Sequence, residues 1–269
     1  MDTQILQNKK TTISEPDIWR DRPSLESLTR QDIWKLRRSF LERLWPDVTN
    51  WKVLEVGSGP AHDSITFAQR KAHVTAIDFS HIALTLSQKF YRELGLSVTP
   101  IRADAQVLPF KTGSFDLAFN AGVLEHFTDD NLKIIIDEMV RVVRPGGKVL
   151  VFCPNRYNIF YQHHLRKMSR IHRYEFERAF SADETRKWFN AHGLTGVQVD
   201  GVHVHPAFNY LLPSFLPKHH RIEPIMRRCF APLENTNHLR RFKSIIGQDY
   251  VVWGTVPDNR PIQKGHSAQ

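Results

Sequence analysis

Strand and helix patterns alternate along the chain from residue 51 to residue 153, and that alternation leaves few folds open. Trp51-Lys52-Val53-Leu54-Glu55-Val56 is a short apolar run stopped by Gly57-Ser58-Gly59-Pro60, which reads as a buried strand entering a tight loop. A helix over 63–70 follows, then His73 to Ile77 as a strand ending at Asp78, then a helix capped by Ser80 and running to about Leu94. Ser97 to Ile101 and Phe115 to Phe119 give two more strands. Residues 129–143 form a long amphipathic helix with Leu132, Ile135, Ile136, Met139, Val140 and Val143 on its apolar stripe. Pro145-Gly146-Gly147 breaks that helix, and Lys148 to Cys153 returns as a fifth strand. Strands separated by helices in this way build a parallel sheet covered on both faces.

Beyond residue 155 the alternation weakens. Residues 156–180 are basic and aromatic, Ser181 caps a helix to about His192, and 196–204 alternates like a strand. A stretch rich in Pro, His and Arg then runs over 205–247, and Tyr250 to Val256 closes the sheet. Ahead of the core, Thr29 caps a helix through Trp45, where Pro46 stops it. The expected organisation is an N-terminal helical cap over 1–50, a core over 51–155, a basic aromatic insertion over 156–180, and a further helix and strand of the core over 181–204. A basic insertion or lid over 205–247, a last strand over 248–257 and a flexible tail over 258–269 complete it.

At 269 residues with 41% hydrophobic and 24% charged residues, the chain can bury one large core, which excludes disordered, collagenous and coiled-coil classes. The two cysteines, Cys153 and Cys229, stand outside any CxxC or Cys/His cluster, which argues against a disulfide framework and a structural zinc. No apolar run reaches the ~20 residues of a membrane-spanning helix, and the start lacks a signal-peptide core, so a cytoplasmic location is expected. Of the formal net charge of +9, a net +8 falls in residues 156–247, which hold 15 Lys+Arg against 7 Asp+Glu and 9 of the 14 histidines. That segment reads either as a surface for an acidic, polar or membrane partner or as a solvated basic face.

Chemistry gathers around the first loop. A glycine-rich turn between strand and helix lets a ligand approach the backbone, and an acidic residue ending the next strand can hold both hydroxyls of a ribose. Gly57-Ser58-Gly59-Pro60-Ala61 followed by Asp78, 19 residues beyond Gly59, meets that demand. A dinucleotide fingerprint wants a small residue at position 62, where His62 stands, so a nucleoside without phosphates fits better than a pyrophosphate.

Val53-Leu54-Glu55-Val56-Gly57-Ser58-Gly59-Pro60-Ala61 resembles the first motif of class I S-adenosylmethionine-dependent methyltransferases. Four further matches follow in that family's order. They are Ala76-Ile77-Asp78-Phe79-Ser80, Ala103-Asp104-Ala105 with Leu108-Pro109-Phe110, Phe115-Asp116-Leu117 through Val123-Leu124-Glu125-His126, and Arg144-Pro145-Gly146-Gly147. The resemblance implies an α/β fold, a doubly wound Rossmann-like seven-stranded sheet, mostly parallel with an antiparallel last strand, with N-terminal helices and a basic lid insertion added. It implies S-adenosyl-L-methionine as cofactor and methyl transfer by in-line displacement. By position, Glu55 and the backbone at Gly57 and Gly59 would orient the amino-acid end of the cofactor. Asp78 would hold the ribose, Phe79 would pack on the adenine, and Asp104 and Ala105 would meet its edge. Asn120 and Ala121 would reach the methionine portion through backbone groups, and Asp116 reads as structural. Ala61 departs from a frequent third glycine.

In-line transfer needs alignment and water exclusion, and a base only where the acceptor must lose a proton. His126 is the candidate base, set against a packing role. A small-molecule acceptor, lipid-like or acidic, is expected to meet Trp19, Arg20, Tyr157, Tyr161, His203 and Tyr210, drawn from the segments outside the core. The His219-His220 pair has no acidic neighbour at ligand spacing, so no metal is expected. Peripheral membrane contact stays open through Tyr157 to Arg173. Two rival functions also stay open: an RNA methyltransferase using residues 156–247, disfavoured because Asn120 is followed by Ala-Gly-Val, and a non-catalytic cofactor-binding protein. Oligomeric state is not legible.

Overall fold

Alternating side chains along each central run fall on two faces, and each face finds its own layer of helices. In the computed structural model, residues 32–158, 178–202, 228–229, 232 and 239–259 are described. The strands are β1 (Lys52–Val56), β2 (His73–Asp78), β3 (Thr99–Arg102), β4 (Phe115–Ala121), β5 (Val143–Pro154), β6 (Thr195–Val202) and β7 (Asp249–Thr255). They form one seven-stranded sheet in the order β3-β2-β1-β4-β5-β7-β6. The first five pair in parallel, and β7 runs antiparallel to both β5 and β6.

Val53, Leu117, Phe119, Leu150, Phe152 and Trp253 pack on one side against α1 (Asp32–Leu44), α2 (Ile65–Gln69) and α3 (His81–Glu93), through Phe40, Leu41, Phe67 and Tyr91. Leu54, Val56, Ala118, Val149, Val151 and Val252 pack on the other against α4 (Asp129–Val142) and α5 (Ala182–Ala191). Helix starts follow local rules. Ser80 Oγ accepts from Ala83 N at the start of α3, Ser181 and Glu184 close a capping box at α5, and Asp129 and Asp130 occupy the first turn of α4. Because β2 lies on one side of β1 and β4 on the other, the chain reverses direction at β1. A crevice therefore opens outside the carboxyl ends of β1 and β4.

Two features depart from the sequence expectation. The strand expected from Lys148 begins at Val143, which already pairs with Phe115; the register then jumps to Leu117 opposite Lys148. The Pro145-Gly146-Gly147 run is thus a bulge inside β5 rather than a turn ahead of it. A Cβ on Gly147 would lie 2.9 Å from the Asp116 carbonyl oxygen, so only glycine passes there. Asp116 holds the bulge as the structural residue it was read to be. Its Oδ1 accepts from Arg144 Nε at 2.6 Å and its Oδ2 from Lys52 N at 2.7 Å.

The end of the segment expected as a lid is a short helix, α6 (Arg240–Ile246), docked on the sheet edge. Lys243 Nζ lies 2.8 Å from Asp200 Oδ1 on β6, with both residues buried, and Arg240 stands over the Trp253 ring at 5.5 Å. Burial pushes the Asp200 carboxyl up, and the Lys243 ammonium pulls against it. Asn155 Nδ2 donates to the carbonyls of Ile245 and Gly247, and Asn158 Nδ2 to those of Ile246 and Gly247, so the carbonyls left open at the end of α6 are satisfied from the loop after β5. The remaining parts of the two expected insertions, 159–177 and most of 203–238, lie outside the described residues, as does the tail from 260.

Removing the buried ammonium leaves Asp200 charged in an apolar setting. Lys243→Met should cost about 3 kcal/mol of unfolding free energy, read by urea denaturation. Adding Asp200→Leu should restore most of it. A single variant as stable as the parent would contradict the pairing.

Candidate functional site

The crevice is built from its glycine loop outward. Gly57, Gly59 and Ala61 all have positive φ, at 64°, 52° and 55°, so the chain leaving β1 turns sharply through left-handed backbone. A Cβ on Gly57 would lie 2.5 Å from Val123 Cγ2, which makes glycine obligatory there. Ala61 adopts the same left-handed backbone at a cost of about 1 kcal/mol.

Asp78 fixes the loop to the next strand. Its Oδ2 accepts from Gly59 N at 2.7 Å and its Oδ1 from Ser80 N at 2.8 Å, while Ser58 N donates to Ile77 O at 2.8 Å. Burial pushes this carboxyl up, and the backbone donors hold it down. Each oxygen keeps a lone pair for a further donor. Next to it Phe79 is 47% exposed, with the Arg102 guanidinium 5.3 Å from its ring centre. After β3, Asp104 is exposed and accepts from Gln106 N at 2.8 Å, Ala105 packs against the core, and Val107 is 72% exposed. The ends of β2 and β3 therefore present two carboxylates and two uncovered apolar side chains.

At the end of β4 the side chain of Asn120 is buried and turns to α4, where Nδ2 faces Met139 Sδ at 3.3 Å. Its Oδ1 is buried without a hydrogen-bond partner. A 3-10 turn, Leu124–His126, follows; Glu125 is buried in it and His126 half-buried.

Glu55 lies under the loop rather than in the crevice. Ser64 Oγ donates to its Oε2, and Tyr91 Oη is 2.9 Å from the same hydroxyl. Burial first, and then the charge of Asp63, push the Glu55 carboxyl well up.

Helix α1 crosses above this arrangement. Trp34 Nε1 donates to His62 O at 2.6 Å, and Arg37 pairs with Asp63 at 3.0 Å and with Asp249 at 3.6 Å. Beside Arg37 is a cavity of about 90 Å³ whose wall includes Gly122, Glu125, Cys153, Gln248 and Asp249. Sequence reasoning missed Arg37, Gln248 and Asp249. The signal for Arg37 was present, since it occupies a core position between Trp34 and Leu41 in the apolar stripe of α1, where a charge needs a buried partner.

Of the residues expected to meet an acceptor, Tyr157 is 54% exposed and is not part of the cavity wall. Trp19, Arg20, Tyr161, His203 and Tyr210 lie outside the described residues. His126 is also absent from that wall, which takes its neighbour Glu125 instead.

The raised Glu55 carboxyl has a measurable consequence. Its folded-state value stands above that of the unfolded chain, so the folded state holds the extra proton. Stability should fall as pH rises from the ordinary carboxyl value through the folded one. Glu55→Gln removes that proton. As pH rises above the ordinary carboxyl value the parent should therefore lose more unfolding free energy than the variant, by chemical denaturation; parallel profiles would show Glu55 to be ionised throughout.

Known proteins are similar to this chain in sequence and in fold. Residues 53–147 match the family model described as a methyltransferase domain. The ubiquinone/menaquinone biosynthesis C-methyltransferase UbiE of Bartonella quintana is 32% identical over 113 residues, 39% of this chain and 42% of that one. A SAM-dependent methyltransferase of Thermotoga maritima superposes with a TM-score of 0.58 at 17% identity, over 83% of this chain and 88% of that one. Phosphoethanolamine N-methyltransferase 2 of Haemonchus contortus, solved with S-adenosyl-L-methionine, gives 0.55 at 16% identity, over 83% and 53%. The chain spans about half the length of the curated relatives it matches. The sheet order and the glycine loop agree with these likenesses: residues 53–147 are similar to the methyltransferase domain family, on a fold shared with solved methyltransferases.

Proposed function

We propose that this chain transfers a methyl group from S-adenosyl-L-methionine to a small-molecule acceptor. The observation that carries the reading is the Asp78 carboxylate, held by Gly59 N and Ser80 N at the switch point with the half-exposed Phe79 beside it. When bound, the cofactor supplies a methyl group on an electrophilic sulfonium. Asp78 would accept hydrogen bonds from its ribose hydroxyls, and Phe79, Asp104 and Ala105 would flank its adenine. Gly57 and Gly59, bent by positive φ, would let the amino-acid end approach the backbone, as would Asn120 and Ala121 at the end of β4. Glu55 supports the loop through Ser64 and so acts as a positioning residue. The site fits such a group. Arg37 Nε is a buried donor without a hydrogen-bond partner at the cavity, and Phe79 is half-exposed beside Asp78.

The quinone-pathway relative favours a small acceptor, and the charges point the same way. In the described part of the basic segment, Arg156 and Arg178 pair with Glu184, Arg178 also with Asp129, and Lys243 and Arg240 with Asp200. Those cations are paired with the chain's own carboxylates, which weakens the case for an RNA backbone as their partner.

Asp78→Ala should weaken S-adenosylmethionine binding by about one to two orders of magnitude, the loss of charge-assisted hydrogen bonds of roughly 1.5 to 3 kcal/mol. Isothermal titration reads this, with thermal melting as the folding control. Unchanged affinity would overturn the reading.

A further inference from the structure

A buried polar atom without a partner destabilises a fold, and a wall that keeps one donor and one acceptor in that state offers a ligand two hydrogen bonds ready to form. We propose that the cavity between α1, the turn after β4 and the facing ends of β5 and β7 receives a neutral hydroxyl group of the acceptor, which accepts a hydrogen bond from Arg37 Nε and donates one to Gln248 Oε1. The proposal rests on the methyltransferase reading above and names a substrate class within it.

The two groups are fixed by contacts other than the bonds they lack. Arg37 Nη1 donates to Asp63 at 3.0 Å and Nη2 faces Asp249 at 3.6 Å, which leaves Nε buried without a hydrogen-bond partner. The same guanidinium stands 5.2 Å from the ring centre of Phe152. Gln248, 6% exposed, sits one residue ahead of β7, where its backbone carbonyl accepts from Asn155 N at 3.0 Å. Its Oε1 is buried and has no hydrogen-bond partner. Arg37, Phe152 and Gln248 all line the cavity.

This pair selects among polar groups by what each can offer. An ammonium only donates, so it meets Arg37 Nε with a second donor. A carboxylate only accepts, so it meets Gln248 Oε1 with a second acceptor, and Glu125 and Asp249, which have partners of their own, oppose a further anion in the same wall. A hydroxyl carries one proton and two lone pairs and serves both orphans without bringing a charge to be desolvated. With a volume of about 90 Å³ the cavity takes one end of a molecule. Neither a guanidinium nor a carboxamide takes a proton from an alcohol at neutral pH, so the hydroxyl is held rather than ionised and the methylated atom is a different one. Arg37 and Gln248 thereby set specificity.

The experiment uses the full chain, first saturated with S-adenosylhomocysteine under isothermal titration, and probes it with n-butanol, n-butylammonium and butyrate by ligand-observed NMR. Butanol should bind about tenfold tighter than either ion. Gln248→Leu removes the acceptor and should lower butanol affinity by about fivefold to tenfold, with thermal melting as the folding control; a purely structural role for Gln248 would move stability and leave the order of the probes unchanged. Should that variant fail to fold, the order of the three probes on the parent decides alone. Equal binding of the probes, a preference for either ion, or full butanol affinity in folded Gln248→Leu would overturn the proposal. So would no binding of any probe at millimolar supply, which leaves the cavity to water, and butanol binding that S-adenosylhomocysteine abolishes, which gives the cavity to the cofactor. Failure of S-adenosylhomocysteine to bind would count against the methyltransferase reading instead, and the order of the probes would then be read on the unloaded protein.

Discussion

The carboxylate of Asp78 joins two strand ends that would otherwise be free to part. One oxygen takes the amide of Gly59 and the other that of Ser80, so the loop after β1 and the start of α3 are registered to each other through a single side chain. A parallel sheet makes such a joint necessary. Its strands all deliver their loops to one edge, where backbone donors have no ladder to satisfy them. A short acidic side chain satisfies two at once and leaves lone pairs pointing outward. The left-handed turn through Gly57, Gly59 and Ala61 supplies the geometry, and Val123 packed against Gly57 prevents the turn from relaxing.

Much of this was legible in the sequence because the parallel strands obey local rules. The runs around Val53, Val74 and Leu117 are apolar on both faces, Ser80 and Ser181 announce helix starts, and the spacing from Gly59 to Asp78 places the acid at the next strand end. Where the reading fell short, a non-local contact decided. Nothing near Pro145-Gly146-Gly147 says that Val143 will already pair with Phe115, since the bulge is held by Asp116 and Arg144 across the sheet. Helix α6 carries basic residues that read as part of a solvated lid, but Lys243 is buried on Asp200, some 43 positions earlier in the chain. The carboxyl of Glu55 has the place expected of it in the motif, and its environment is set by Ser64 and Tyr91, which periodicity alone does not bring together.

Charge shows the same contrast. Composition placed nearly all of the excess in residues 156–247, and a partner for it had to be sought outside the chain. In the described part of that segment several cations have partners within the fold: Arg178 lies between Asp129 and Glu184 and stacks on Phe180 at 4.5 Å. Its backbone N also donates to Glu125 O, which ties the turn after β4 to the segment leading into α5. A cation placed in this way orders the wall of a site rather than advertising a surface.

Helix α1 completes that wall, and its attachment decides how the site is closed. Two contacts hold its inner face to the glycine loop, Trp34 on the His62 carbonyl and Arg37 on Asp63, while Phe40 and Leu41 are buried in the sheet. The helix is therefore packed into one face of the core. Because Arg37 reaches both Asp63 beside the loop and Asp249 at the start of β7, the same guanidinium touches the support of the glycine loop and the wall of the cavity beside α1. One guanidinium thus spans the glycine loop's support and the start of β7.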